Sequence, residues 1–167
     1  RTVLSNKLDK EGFLALPYGY KARLVAQGFS QIFGLSFGET FAPTMSLDAL
    51  RMILVLALHF GLFIKHLDVK TAFLNSPIQY TVYARLPEGF HPTKKYALLK
   101  KSLYGLKQAA RDWNVLQDKF VRDFDPKLQV SSLESVLYYR VDAEVTVFIL
   151  VHVDDYVVAC SSQAYFD

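Results

Sequence analysis

Apolar and polar positions recur with different periods along this chain, and the changes of period mark out its elements. In the first forty-one residues, short apolar runs are broken by Gly12, Pro17, Gly19, Gly28, Gly34 and Gly38, which predicts a small lobe of extended segments. Ser46 then precedes a dense apolar stretch that closes at Gly61. A serine hydroxyl can accept from the free N–H groups of a first helical turn, and glycine readily takes the left-handed backbone of a helix end. The spacing therefore predicts a mostly buried helix over 47–60. Residues 62–67 form a short apolar run with branched and aromatic members, which reads as a buried strand ending at Asp68.

Residues 75–101 read as irregular around Pro77, Pro87, Gly89 and Pro92, with one strand over 81–86. Beyond Gly105, the residues Leu106, Ala109, Ala110, Trp113, Leu116, Phe120 and Phe124 recur at three- and four-residue steps. That is the apolar stripe of an amphipathic helix of about five turns. Residues 136–141 and 145–151 are strand-like runs joined by Asp142, Ala143 and Glu144, and a third run begins at Tyr156. Asp154 and Asp155 sit between the last two. The order predicts an α+β fold, an antiparallel sheet covered by helices on one face, with the acids on its open face.

Composition narrows the class. Half of the 167 residues are hydrophobic, and 10 Tyr and 13 Phe are among them, which argues against a disordered tail. That size suits one domain with a real core. The single Cys160 excludes an internal disulfide, and no Cys/His cluster has zinc spacing, so a reducing, intracellular setting is expected. The most apolar window, 50–64, carries Arg51 and His59 and is shorter than the roughly 20 residues a spanning helix needs, so no membrane segment is expected.

The net charge is only +3, but its distribution is uneven. Lys94, Lys95, Lys100, Lys101, Lys107 and Arg111 lie in one stretch without an acid, Arg1, Lys7, Lys10, Lys21 and Arg23 add a second, and the part after Arg111 is acidic. Basic walls and an acidic floor suit phosphate binding beside a metal site, while solvated lysines explain the same pattern equally well. Asp68, Asp154 and Asp155 are the best set for holding Mg²⁺, a cation that prefers oxygen ligands and keeps several waters. The plain alternative makes Asp154-Asp155 a type I′ hairpin tip and Asp68 a helix N-cap. His59, His66 and His91 have no partners at ligand spacing and read as structural or surface residues, and Trp113 reads as core.

Four blocks change the balance. KARLVAQGF at 21–29 with ETFAPT at 39–44, DVKTAFLN at 68–75, LKKSLYGLKQAARDW at 99–113 and HVDD at 152–155 occur in an order that resembles copia-type retrotransposon reverse transcriptases. The resemblance covers most of the chain. It implies a polymerase palm with a partial fingers subdomain and no thumb, residues 1–45 being mainly fingers and 46–167 mainly palm.

It further implies an RNA-directed DNA polymerase in which Asp68 and Asp154 are the principal ligands of two Mg²⁺ ions, or Mn²⁺, and Asp155 completes the cluster. Lys21 and Arg23 would hold the triphosphate. Phe73 would lie under the incoming sugar, and Gly105 through Lys107 would position nucleotide and template. Implied partners are an RNA template, a DNA or RNA primer, deoxynucleoside triphosphates and other Pol regions: the thumb, RNase H and integrase. The implied location is a cytoplasmic virus-like particle or the nucleus.

His152 stands where the family has Tyr, Ala110 where it has Pro, and Ser76 where Gly is usual, while Gln79 and Tyr80 occupy usually acidic positions. Such departures suit a decaying element copy, so a non-catalytic relic that binds nucleic acid is the second reading. Another palm-fold enzyme, such as a nucleotidyl cyclase, would lack the first and third blocks.

Overall fold

Local signals and long-range pairing can be separated in a computed structural model of the chain, which describes residues 2–6 and 20–166, with side chains from Arg23 onward. The segment 7–19, with Gly12, Pro17, Gly19 and the expected basic Lys7 and Lys10, lies outside the described residues, as does Arg1. The fold is mixed α/β, with antiparallel sheets and helices, in two compact units: Arg1–Thr40 with Phe73–Asp112, and Phe41–Ala72 with Trp113–Asp167.

In the first unit, β1 (Thr2–Asn6) pairs antiparallel with β2 (Tyr20–Leu24), so two of the extended segments expected there form a ribbon. A single 3-10 turn follows at Gly28–Ser30. The stretch read as irregular holds a second ribbon, β4 (Tyr83–Arg85) against β5 (Tyr96–Leu98), of which the residue pattern predicts only the first strand. Val82, Leu106 and Ala109 form the buried centre of this unit, with Ala26, Phe73, Ile78, Tyr80, Leu99 and Leu103 packed around them.

The second unit carries the main sheet. Helix α1 (Leu47–Phe60) begins where Ser46 Oγ accepts the Ala49 N–H at 3.2 Å and ends at Gly61 with a φ of 63°. Ser46 is itself fixed, because its N–H and hydroxyl both donate to Glu134 Oε2, at 3.1 and 2.8 Å. The helix buries Ala49, Ile53 and Ala57 at four-residue steps against the sheet. Then come β3 (Phe63–Asp68), the one-turn α2 (Ala72–Asn75), α3 (Ala109–Phe124), β6 (Gln129–Val130), β7 (Leu137–Val141), β8 (Thr146–His152) and β9 (Asp155–Cys160), and a 3-10 turn at Gln163–Phe166. Five of these strands make an antiparallel sheet in the order β3-β9-β8-β7-β6.

Side chains alternate across a strand, so the register sorts the two faces. Val147, Ile149 and Val151 of β8 oppose Cys160, Val158 and Tyr156 of β9, and all six are buried on one face. Tyr138 of β7 shares that face, and its hydroxyl donates to Asp118 Oδ1 of α3 at 2.8 Å. Asp68, Asp155 and His152 lie on the other. Leu137, Leu150 and Ala159 are buried on that second face, whereas Ile64, His66 and Asp68 of β3 are exposed on it. Among the described residues, no helix is long and apolar enough to cross a membrane.

Arg140 knots the far end of the sheet. Its Nη1 donates to Asp125 Oδ2 at 3.2 Å, its Nε to Asp142 Oδ2 at 2.6 Å, and its Nη2 to Glu144. Tyr165 from the last turn donates to the same Asp125 Oδ2 at 3.0 Å. The Arg140 bond, with the N–H groups of Val145 and Glu144, pulls the Asp142 carboxyl down to about 2. A carboxyl held below its unfolded value stabilises the fold above that value and loses its contribution as pH falls through the folded one. Unfolding midpoints in urea are therefore expected to be level above pH 5 and to drop between roughly pH 4 and pH 2. A midpoint that stays constant across that interval would show the knot to be energetically idle.

Candidate active site

Three acids converge at one end of the main sheet because two separate pairings meet there. The antiparallel register of β3 and β9 sets Asp68 directly opposite Asp155, and the β8–β9 hairpin sets His152 opposite Asp155 from the other side. Asp155 is thus the first residue of the third strand, one position earlier than the sequence pattern suggests. Val153 and Asp154 alone form the connection. The Val69 N–H, just past the end of β3, donates to Asp154 O at 2.8 Å and ties the first acid's strand to the turn.

The turn is strained and over-determined. Among the described residues, Thr71 and Val153 are the non-glycine residues with positive φ, each at 56°. A β-branched residue in that region costs on the order of 1–3 kcal/mol, and such costs persist only where the surroundings impose them. Here the surroundings are the Val69 bond and Trp113, whose Nε1–H donates to Val153 O at 2.6 Å. Positive φ at Val153 but not at Asp154 excludes the type I′ tip, and a helix beginning only at Ala72 excludes Asp68 as its N-cap.

Trp113 is core, as expected, at 6% exposed; the structure adds that its polar edge anchors the turn. Trp113→Phe keeps an aromatic ring in the core, though a smaller one, and leaves Val153 O without its donor, so a loss of at least about 1–3 kcal/mol is expected in urea unfolding. A variant as stable as the unmutated chain would remove Trp113 as the anchor.

The three carboxylates differ in their surroundings. Asp155 Oδ1 is hydrogen-bonded to His66 Nε2 at 2.8 Å, with the two side chains 46% and 63% exposed. The carboxylates of Asp68 and Asp154 have no hydrogen-bond or ion-pair partner among the described residues. His152, on the other flank of Asp155, has a buried Nδ1 without a hydrogen-bond partner among the described residues. Sequence reasoning misses His66 because its contact is diagonal across strands, and periodicity does not report that.

Mg²⁺ binds through one or two carboxylates with waters and phosphate oxygens completing the shell. Asp68 and Asp154, oxygen donors without a competing cation, fit that requirement. In the arrangement shown, no group of three His, Cys, Asp or Glu side chains among the described residues is set to hold a metal ion by itself.

The expected nucleotide-binding residues belong to the first unit, and two of them, Phe73 and Arg23, gather on Tyr104. The Phe73 ring meets the Tyr104 ring edge-on, with centroids 4.9 Å apart and planes at 61°. Arg23 Cζ lies 5.6 Å from the same Tyr104 centroid. Phe73 also packs against the unit's buried centre, so the ring is held in place. Nothing in the residue pattern singles out Tyr104, although it lies within the third block.

Ala26 N–H donates to Tyr104 O at 2.7 Å, and this approach is closed by glycines. A Cβ on Gly28 would stand 2.0 Å from Gly105 O, and one on Gly105 would stand 2.3 Å from Ala26 O. Lys107 extends its ammonium over Phe37, 4.6 Å from the ring centroid. The side chain of Lys21 lies outside the described residues; its backbone pairs with Ser5 in the β1–β2 ribbon. His91 closes a local turn by accepting the Thr93 and Lys94 N–H groups, and His59 is an exposed residue edge-on to its neighbour Phe60, so the two are structural and surface residues as expected.

Residues 7–166 match the family described as reverse transcriptase (RNA-dependent DNA polymerase). The chain is 41% identical over 152 residues to the Retrovirus-related Pol polyprotein from transposon TNT 1-94 of Nicotiana tabacum, covering 89% of this chain and 11% of that protein. It is 35% identical over 158 residues to the corresponding polyprotein from transposon RE1 of Arabidopsis thaliana, covering 93% and 10%. The Transposon Ty1-H Gag-Pol polyprotein of Saccharomyces cerevisiae is 36% identical over 99 residues, 56% of this chain and 5% of that protein. The chain spans about a tenth of the length of the first two relatives. No solved structure matches it.

Proposed function

The chain belongs to the reverse transcriptase (RNA-dependent DNA polymerase) family, in the form carried by Pol polyproteins of copia-type retrotransposons, and on that premise we propose that it is the fingers and palm of an RNA-directed DNA polymerase. Residues 1–45 are read as mainly fingers and 46–167 as mainly palm. In the proposed reaction a primer 3′-hydroxyl attacks the α-phosphate of a deoxynucleoside triphosphate and gives up its proton to solvent, a new P–O bond forms as the bond between the α-phosphorus and the bridging oxygen breaks, and pyrophosphate leaves. An RNA template directs the addition of deoxynucleotides to a DNA or RNA primer.

The observation that carries this reading is the pairing of Asp68 with Asp155 beside the tied Asp154 turn. It gathers acids that are 86 and 87 residues apart in sequence (154 − 68 and 155 − 68). Asp68 and Asp154 would hold two Mg²⁺ ions, with Mn²⁺ as the substitute and Asp155 completing the acidic set. Bound there, divalent ions neutralise charge on the attacking and leaving oxygens.

The remaining residues act by position. The Val69 and Trp113 bonds hold the turn, so the carboxylates are aimed before substrate arrives. Lys21 and Arg23 bind the triphosphate. The Phe73 ring, backed by Tyr104, offers a fixed apolar surface that a 2′-hydroxyl would strike, and that clash favours deoxynucleotides. Gly105 lets backbone approach closely, and Lys107 meets the nucleotide or template. Thumb, RNase H and integrase regions are the proposed companions within the polyprotein. The reaction would run inside the cell, in a cytoplasmic virus-like particle or the nucleus.

A second reading, a relic that binds nucleic acid without catalysis, is favoured by the buried unpaired Nδ1 of His152 beside the acids. Primer extension on an RNA template, with Mg²⁺ and deoxynucleotides, separates the two. Incorporation is expected from the first reading. RNA binding that ignores Mg²⁺ and adds no nucleotide would establish the second.

A further inference from the structure

One side chain outside all four sequence blocks reaches into the third of them. Gln31 lies 76 positions before Lys107, and its Oε1 accepts the Lys107 N–H at 2.9 Å. Its Nε2 donates to Ser36 O at 3.0 Å and to Gln108 Oε1 at 3.0 Å. Gln108, 1% exposed, returns its own Nε2 to Ser36 O at 3.1 Å. Two amides thus lock the 31–36 segment to the backbone of Lys107 and the side chain of Gln108. Only an amide offers an acceptor and two N–H donors on one planar group, so neither a hydroxyl nor a carboxylate reproduces the set.

The same segment controls the far end of Lys107. Phe37, next to Ser36, carries the ring beneath the Lys107 ammonium, and Phe33 braces that ring edge-on at 5.7 Å. Backbone and charge of Lys107 are therefore both set by residues 31–37. The closed glycine approach between Gly28 and Gly105 brings the two stretches within reach.

We propose that Gln31 is a positioning residue for the nucleotide-gripping segment 105–108, fixing the Lys107 backbone directly and its ammonium through Ser36 and Phe37. The proposal rests on the polymerase reading above. Gln31 touches no substrate; it sets where Lys107 meets one. Misplacing such a group weakens substrate capture more than it slows the chemical step.

Two variants test this. Gln31→Leu removes all three bonds at similar size, and Gln31→Glu keeps the acceptor for Lys107 N–H while losing both donors. In primer extension, Gln31→Leu is expected to raise KM for the deoxynucleotide about tenfold with kcat within about twofold and unchanged template–primer affinity. Gln31→Glu should fall between it and the unmutated chain. Amide hydrogen exchange gives a readout without catalysis: Lys107 N–H should lose protection in Gln31→Leu, while Val69 N–H, bonded at the acidic turn, should not.

Unchanged Lys107 exchange, or unchanged KM, overturns the proposal while leaving the polymerase reading intact. Parallel loss of Val69 protection, kcat and template binding overturns it too, because Gln31 would then be supporting the fold as a whole. An unmutated chain that incorporates no deoxynucleotide overturns the polymerase reading, and the nucleotide role of Gln31 falls with it.

Discussion

Asp154→Asn is expected to lower primer extension by at least about a hundredfold while leaving the unfolding midpoint and RNA binding near their unmutated values. The separation follows from how Asp154 is used. Its structural contribution is made by its backbone, whose carbonyl accepts the Val69 N–H at 2.8 Å. Its carboxylate has no protein partner among the described residues, so the amide of asparagine disturbs no existing bond. What the substitution removes is the negative charge, which is the property a divalent ion requires of the site.

Asp68→Asn should behave alike. Asp155→Asn should differ, because it changes an acceptor already engaged with His66. Extension retained in both Asp154→Asn and Asp68→Asn would remove these acids from the chemistry. A collapse of stability in Asp154→Asn would instead make its carboxylate part of the fold.

Gly105→Ala is expected to destabilise the first unit by about 2–4 kcal/mol and to weaken deoxynucleotide binding in the molecules that remain folded. Two costs coincide at this position. The backbone has a φ of +86°, which an L side chain rarely adopts, and the new methyl would meet Ala26 O at 2.3 Å and Val25 Cγ1 at 2.6 Å. The valine methyl can turn aside. The carbonyl is backbone, and its residue is fastened by Ala26 N–H to Tyr104 O.

Gly28→Ala presses on the same approach from the other side, with its Cβ 2.0 Å from Gly105 O, so the two substitutions should be less than additive. Urea unfolding followed by circular dichroism measures both. Near-unmutated stability in either variant would mean that the two backbones part easily, and that their approach is not what brings Gln31 within reach of Lys107.

Elements governed by neighbours a few residues apart are legible in the residue pattern. The helix expected over 47–60 spans Leu47–Phe60, because its cap at Ser46 and its stop at Gly61 act within one turn. It is not mostly buried, since it buries only Ala49, Ile53 and Ala57, and the strand expected to be buried after it is largely exposed. The stripe from Leu106 to Phe124 yields α3, though the helix starts only at Ala109. Strand β5 escapes the pattern because its existence depends on pairing with β4 across the intervening Pro and Gly residues, which no local alternation reports. His66 has no partner at ligand spacing along the chain, yet the β3–β9 register carries it to Asp155, 89 positions away. Trp113 reads correctly as core, but helical spacing does not reveal its bond to Val153 O.

Residue types at short or fixed spacing carry the periods, the caps, the acidic residues and the family. The facing of Asp68 and Asp155, the tie of the Asp154 turn to Val69 and Trp113, and the hold of Gln31 on Lys107 arise only once the chain is folded. Hydrogen-bond register between distant strands, and contacts across tens of residues, are chosen by the packing of the whole unit. No local preference for backbone shape encodes them.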